Sequence, residues 1–184
     1  MRRLLVLGMC LSVVGCSGAQ ATRTPTARST PGPTPISHAE DVQGSFRLGF
    51  DLPKGSWTSG EAIDGVATLT VIGPSGVDVG GSGGGLIGFA FAEVGGTRRV
   101  DPVWSADCGP YRLDPSLTMH IKKSGAFDPA KPDADFYASF FADPQVHLPP
   151  GDWTISAVAD FVEETSCTGQ SHQMTATALV RVAP

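Results

Sequence analysis

From Ser45 onward, apolar and polar residues alternate with a period of two. Phe46, Leu48, Phe50 and Leu52 share one face, while Ser45, Arg47 and Asp51 take the other. That period is the signature of a half-buried strand. Ile63, Ala67, Leu69 and Val71 repeat it against Asp64, Thr68 and Thr70, and Ile87, Phe89 and Phe91 give a third face. Leu117, Met119 and Ile121 oppose Thr118, His120 and Lys122. The longest faces come last: Trp153, Ile155, Ala157, Ala159 and Phe161, then Met174, Ala176, Ala178, Val180 and Val182. Pro and Gly break the gaps, as at Pro74-Ser75-Gly76 and Pro149-Pro150-Gly151. One segment departs from the pattern. Residues 133–142 read as a strand or a short capped helix; the helix or helical turn is preferred, with Asp133 or Asp135 as N-cap and Phe136 and Phe140 stacked at i and i+4.

Some seven to nine short strands separated by turn signals predict an all-β fold: one antiparallel sandwich, with one short helix. The run Leu148-Pro149-Pro150-Gly151-Asp152-Trp153-Thr154-Ile155-Ser156-Ala157 resembles the turn-plus-strand entry late in immunoglobulin-like sandwiches. That resemblance implies an immunoglobulin-like sandwich and carries no function.

The N-terminus is built differently. Met1-Arg2-Arg3 precedes an apolar run from Leu4 that is too short for the ~20 residues of a membrane span. A basic start, a short apolar core and a small residue at the cut predict a secretory signal peptide over residues 1–15. Val13-Val14-Gly15-Cys16 resembles the lipobox of bacterial lipoproteins. The resemblance implies lipidation of Cys16, cleavage just before it, and retention on the outer face of the membrane. Two or three acyl chains on one cysteine anchor stably where one binds only marginally. Cys10 is excluded as the acceptor because bulky Met9 precedes it, and Arg2-Arg3 lacks the rest of a twin-arginine motif.

Residues 16–39 form the expected tether, rich in Thr and Pro, without apolar periodicity and extended by its prolines. His38 reads there as a solvated linker residue. Residues 40–184 are then one sandwich domain of ordinary size. All 18 acids of the chain fall in it, while four of the 13 Lys and Arg precede it, leaving nine. So acidic a domain does not fit nucleic acid, whose binding relies on basic groups neutralising phosphates.

Cys108 and Cys167 remain, in a compartment where disulfides persist, and predict a loop-to-loop bond closing about 60 residues. Gly80 to Gly88 holds six glycines in nine residues and formally contains dinucleotide-binding and nucleophile-elbow patterns. The strand-turn-helix setting those motifs need is missing, so the stretch reads as a flexible loop. His120, His147 and His172 lack metal-ligand spacing. Asp128, Asp133, Asp135 and Asp143 lie in a loop-rich stretch without the EF-hand pattern. No metal and no cofactor is expected, and Ser82, His172 and Asp101 have no setting that marks them as a triad.

Arg98, Arg99, Trp104 and Tyr111 flank Cys108 and are the candidate binding surface, because rigid loops on a sandwich carry recognition. The expectation is a non-enzymatic binding module, held to the membrane by its lipid and facing a protein or cell-envelope ligand. The alternatives are an inhibitor or accessory subunit of an envelope complex, and an enzyme with a composite site.

Overall fold

Alternation builds two sheets. The computed structural model describes residues 33–73, 76–125 and 132–184. The signal segment, Cys10, Cys16, most of the tether, Pro74-Ser75 and Asp128 lie outside the described residues. The first sheet runs in the order β1 (His38–Gln43), β2 (Phe46–Asp51), β4 (Val66–Val71), β9 (Ser116–His120). The second runs β3 (Ser56–Thr58), β11 (Ser171–Ala183), β10 (Gly151–Val162), β5 (Val77–Ser82), β8 (Cys108–Leu113). β6 (Ile87–Glu93) also pairs with β10, and β7 (Arg99–Val100) pairs with β6. The fold is therefore the all-β sandwich that the pattern predicts.

Every alternating face points inward. Leu48, Phe50 and Leu69 from the first sheet and Phe89, Phe91, Ile155, Phe161 and Met174 from the second are fully buried. The layers meet through aromatic edges: Phe46 lies 4.8 Å from Phe161, and Phe50 lies 5.9 Å from Phe89, between ring centroids. Each large apolar side chain removed from water stabilises by about 1.5–3 kcal/mol.

One end is plugged by α1 (Ala134–Ala142), which matches the predicted helix. Phe136 stacks on Trp153 at 5.6 Å and lies 5.6 Å from Phe140, whose ring sits 5.2 Å from Phe91. Trp153 donates its indole N–H to the Pro149 carbonyl at 3.0 Å. Lys123 closes the helix C-terminus by donating to the Phe140 and Asp143 carbonyls, with its ammonium 4.4 Å from the Phe140 ring centre. Burial there lowers the Lys123 pKa.

Several expectations need correction. Among the described residues there are eleven strands, because β1, β3, β5, β7 and β8 lack the apolar alternation that makes a strand readable. The sandwich is not wholly antiparallel, since β3 pairs with β11 in parallel. His38 is no linker residue: it begins β1, with Nδ1 2.6 Å from Asp51 Oδ1, and Ile36 already bridges to Leu179. Asp133 is the helix N-cap by position, but its carboxylate does not cap. It accepts from Thr97 Oγ1 at 2.8 Å instead.

Candidate binding cleft

β10 is flanked along one edge by two successive strands. β6 pairs with Trp153 to Ala159, and β5 pairs only with Phe161 and Val162 before turning away to β8. The glycine-rich stretch is that junction: residues 83–86 form the expected loop between strands, while its two ends lie in β5 and β6. Gly80, Gly81 and Ser82 end β5, Gly85 N–H closes a turn on the Ser82 carbonyl at 2.9 Å, and Gly88 belongs to β6.

Two of these glycines are needed for space. A Cβ on Gly80 would lie 2.4 Å from the Glu164 carbonyl oxygen and 2.9 Å from Cys167 Sγ. A Cβ on Gly88 would lie 2.6 Å from Pro102 Cβ and 3.1 Å from the Trp104 ring. Bare backbone at these positions lets the disulfide and the 101–108 segment pack directly on the sheet.

That segment crosses the sheet from β7 to β8 and is pinned on the way. Ser105 N–H donates to Ser82 Oγ at 2.8 Å, and Gly83 N–H donates to the Asp107 carbonyl at 2.8 Å. Tyr111 donates its hydroxyl to the Ser82 carbonyl at 2.6 Å. Cys108 is bonded to Cys167 across a separation of 59 residues, as predicted. Because Cys108 starts β8, the bond ties a strand to the β10–β11 loop, not a loop to a loop.

Between these parts lies a cleft of about 240 Å³. Its walls are Gly80 to Ser82, Trp104 to Cys108, Asp160 to Val162, and Cys167. Ser82 Oγ accepts from the Gly84 and Ser105 N–H groups, and Asp107 accepts from Ser105 Oγ at 3.3 Å. No side-chain partner of Asp160 is found among the described residues. Neither Lys nor Arg contributes to the wall.

The candidate residues read from sequence divide in two. Trp104 lines the cleft, and Tyr111 braces its floor from β8. Arg98 is elsewhere, bonded to Glu93 and held 5.2 Å from the Trp153 ring centre and 5.6 Å from that of Phe136. The Glu93 hydrogen bond raises the Arg98 pKa, and Arg98 in turn lowers that of Glu93. Arg99 pairs with Asp101 at 2.7 Å. It also borders a separate 160 Å³ hollow with Val103, Tyr137 and Phe141. Sequence reasoning missed Asp107 and Asp160, and it read the β5 glycines as part of a loop. Only the closeness of Asp107 to Cys108 could have flagged any of them.

The residues weighed as a triad each have another partner. Ser82 bonds backbone N–H groups, Asp101 pairs with Arg99, and His172 Nε2 lies 2.8 Å from Glu163 Oε1. His172 is buried between Phe46 and Phe161, stacked on the latter at 5.0 Å. Among the described residues no group of three or more His, Cys, Asp and Glu is placed to hold a metal ion. The chain matches no protein-family model and no curated protein.

Proposed function

We propose that the chain is a lipid-anchored extracytoplasmic lipoprotein whose sandwich domain is a binding module working through the cleft beside Cys108 and Cys167. One observation carries the recognition part. The cleft joins Trp104, a carboxylate with no side-chain partner among the described residues, and the β5 glycine backbone, beside a disulfide and a strand junction. A preformed concave site with a few convergent polar groups is what small-ligand and side-chain recognition requires. The anchor part rests on the lipobox at Val13 to Cys16, and the Thr/Pro-rich stretch after it serves as the spacer.

Two measurements test the reading. Cys16→Ser should move the protein from the membrane fraction to the soluble one; a mutant that still sediments with membranes removes the anchor from Cys16. A thermal-shift panel of calcium, zinc, sugars, peptides and cell-wall fragments tests the module. A ligand present at 100 times its Kd stabilises by about 2.7 kcal/mol. That shift should disappear in Trp104→Ala, and a flat panel would count against the cleft as a binding site.

A further inference from the structure

We propose that the cleft takes an organic nitrogen cation, an ammonium or guanidinium group, between the Trp104 indole and the carboxylates of Asp107 and Asp160. This deepens the binding-module reading and rests on it.

Charge is the first argument. The wall carries two carboxylates and no basic side chain. Asp160 has no side-chain partner among the described residues, so a cation entering the cleft could pair with it directly. A neutral sugar would make no use of these charges, and an anion would be repelled by them.

The aromatic wall of the cleft suits a cation as well. The Trp104 ring packs on Gly88, where a Cβ would meet Cη2 at 3.1 Å and Cζ2 at 3.3 Å, and the residue stays partly exposed at the cleft wall. A ring held by such packing costs little to order, and Trp is the best ring partner for a cation. A carboxylate beside an indole is the pairing that selects an organic cation over a bare metal ion. A metal ion needs several oxygen ligands on one centre.

Third, hydrogen-bond chemistry agrees. The wall carries two carboxylate acceptors: Asp107 holds one bond, from Ser105 Oγ, and Asp160 has no side-chain partner among the described residues. Ammonium and guanidinium groups are donors only, with three and five N–H groups. The field of the domain adds to this, since eighteen acids against nine basic residues draw cations toward it.

The same cation could come from a free amine or from a Lys or Arg side chain of a partner polypeptide. The test is a calorimetric titration of the full chain in nonionic detergent with three probes: arginine amide, a tetra-arginine peptide and N-acetylglucosamine. Both cationic probes are expected to bind saturably and more weakly as salt rises. Asp160→Asn, close in shape to the native residue, should weaken them roughly tenfold, the scale of one lost charge-assisted contact. Asp107→Asn should act in the same direction.

A peptide that binds far more tightly than arginine amide identifies a polypeptide source, and equal affinities a free amine; either result supports the inference. Cation binding that neither Asp variant weakens is general attraction to an acidic domain and overturns it. Saturable sugar binding lost in Trp104→Ala but kept in Asp160→Asn overturns the cation while the binding-module reading stands. If no probe binds, the inference fails; a ligand from the wider panel that needs Trp104 would still preserve the module.

Discussion

The carboxylate of Asp41 on β1 accepts the backbone N–H of Thr175 on β11 at 2.9 Å, across the gap between the two sheets. Gln43 donates to the Gln173 carbonyl at 2.8 Å, and Ile36 and Leu179 exchange backbone hydrogen bonds at 2.8 and 3.1 Å. With β3 paired at Arg181 to Ala183, these groups occupy the outer edge of β11. An open edge of that length would be a template for pairing with another chain. Asp41→Ala should lower stability by about 1 kcal/mol and increase self-association. Urea unfolding and size-exclusion chromatography at rising concentration check both effects; unchanged behaviour in both would deny Asp41 the edge-closing role.

Glu93 and Arg98 set part of the acid response. Their side chains are largely covered, and the Arg98 hydrogen bond holds the Glu93 pKa below its ordinary value. A carboxylate with a depressed folded pKa contributes stability above its unfolded value, about 4.3, and loses it as the pH falls further. The contribution should stay below about 1 kcal/mol because solvent screens the pair. In Glu93→Gln the melting temperature should drop at neutral pH and fall less steeply between pH 5 and roughly 3. Parallel acid limbs in mutant and wild type would show that the pair does not titrate as argued.

Gly88 should be intolerant of even one methyl group. In Gly88→Ala the new Cβ would press on Pro102 and on the Trp104 ring. Overpacking of this kind costs about 1–3 kcal/mol. The strand can survive while the 101–104 segment lifts, so the expected signature is greater acrylamide quenching of Trp fluorescence with the sheet intact by circular dichroism. Trp57 and Trp153 are buried and should contribute little to the change.

Loss of the Cys108–Cys167 bond frees a long loop. In the chain-entropy account a separation of 59 residues corresponds to about 4 kcal/mol, an upper figure. Replacing both cysteines with serine should lower the urea midpoint and also weaken whatever binds the cleft, since Cys167 and Cys108 form part of its wall. Stability lost without any change in binding would separate the staple from the site.

What the sequence disclosed depended on where the apolar residues fall. β2, β4, β6, β9, β10 and β11 each bury alternate residues, so period two exposes them. The Phe136 and Phe140 spacing exposed the helix, which packs one face only. β1 escaped because it is an edge strand with a mostly polar outer face, and its first residues read as tether. β5 escaped because its glycines carry no side chain to alternate; their role lies in what presses on them from Cys167. The cleft draws on residues 80 to 82, 104 to 108, 160 to 162 and 167, brought together by long-range strand pairing. Local pattern could name Trp104 and Tyr111 as neighbours of a staple. It could not show that Arg98 turns toward Trp153, or that Asp160 faces Trp104's side of the sheet.

The bridge between Cys108 and Cys167 has one more consequence, for proteolysis. A single backbone cut anywhere between those residues leaves the two fragments covalently joined, so β9, α1 and β10 can be nicked on one side without any part of the chain being released. Such a nicked protein would migrate as one species on a gel until reductant is added, and as two afterwards.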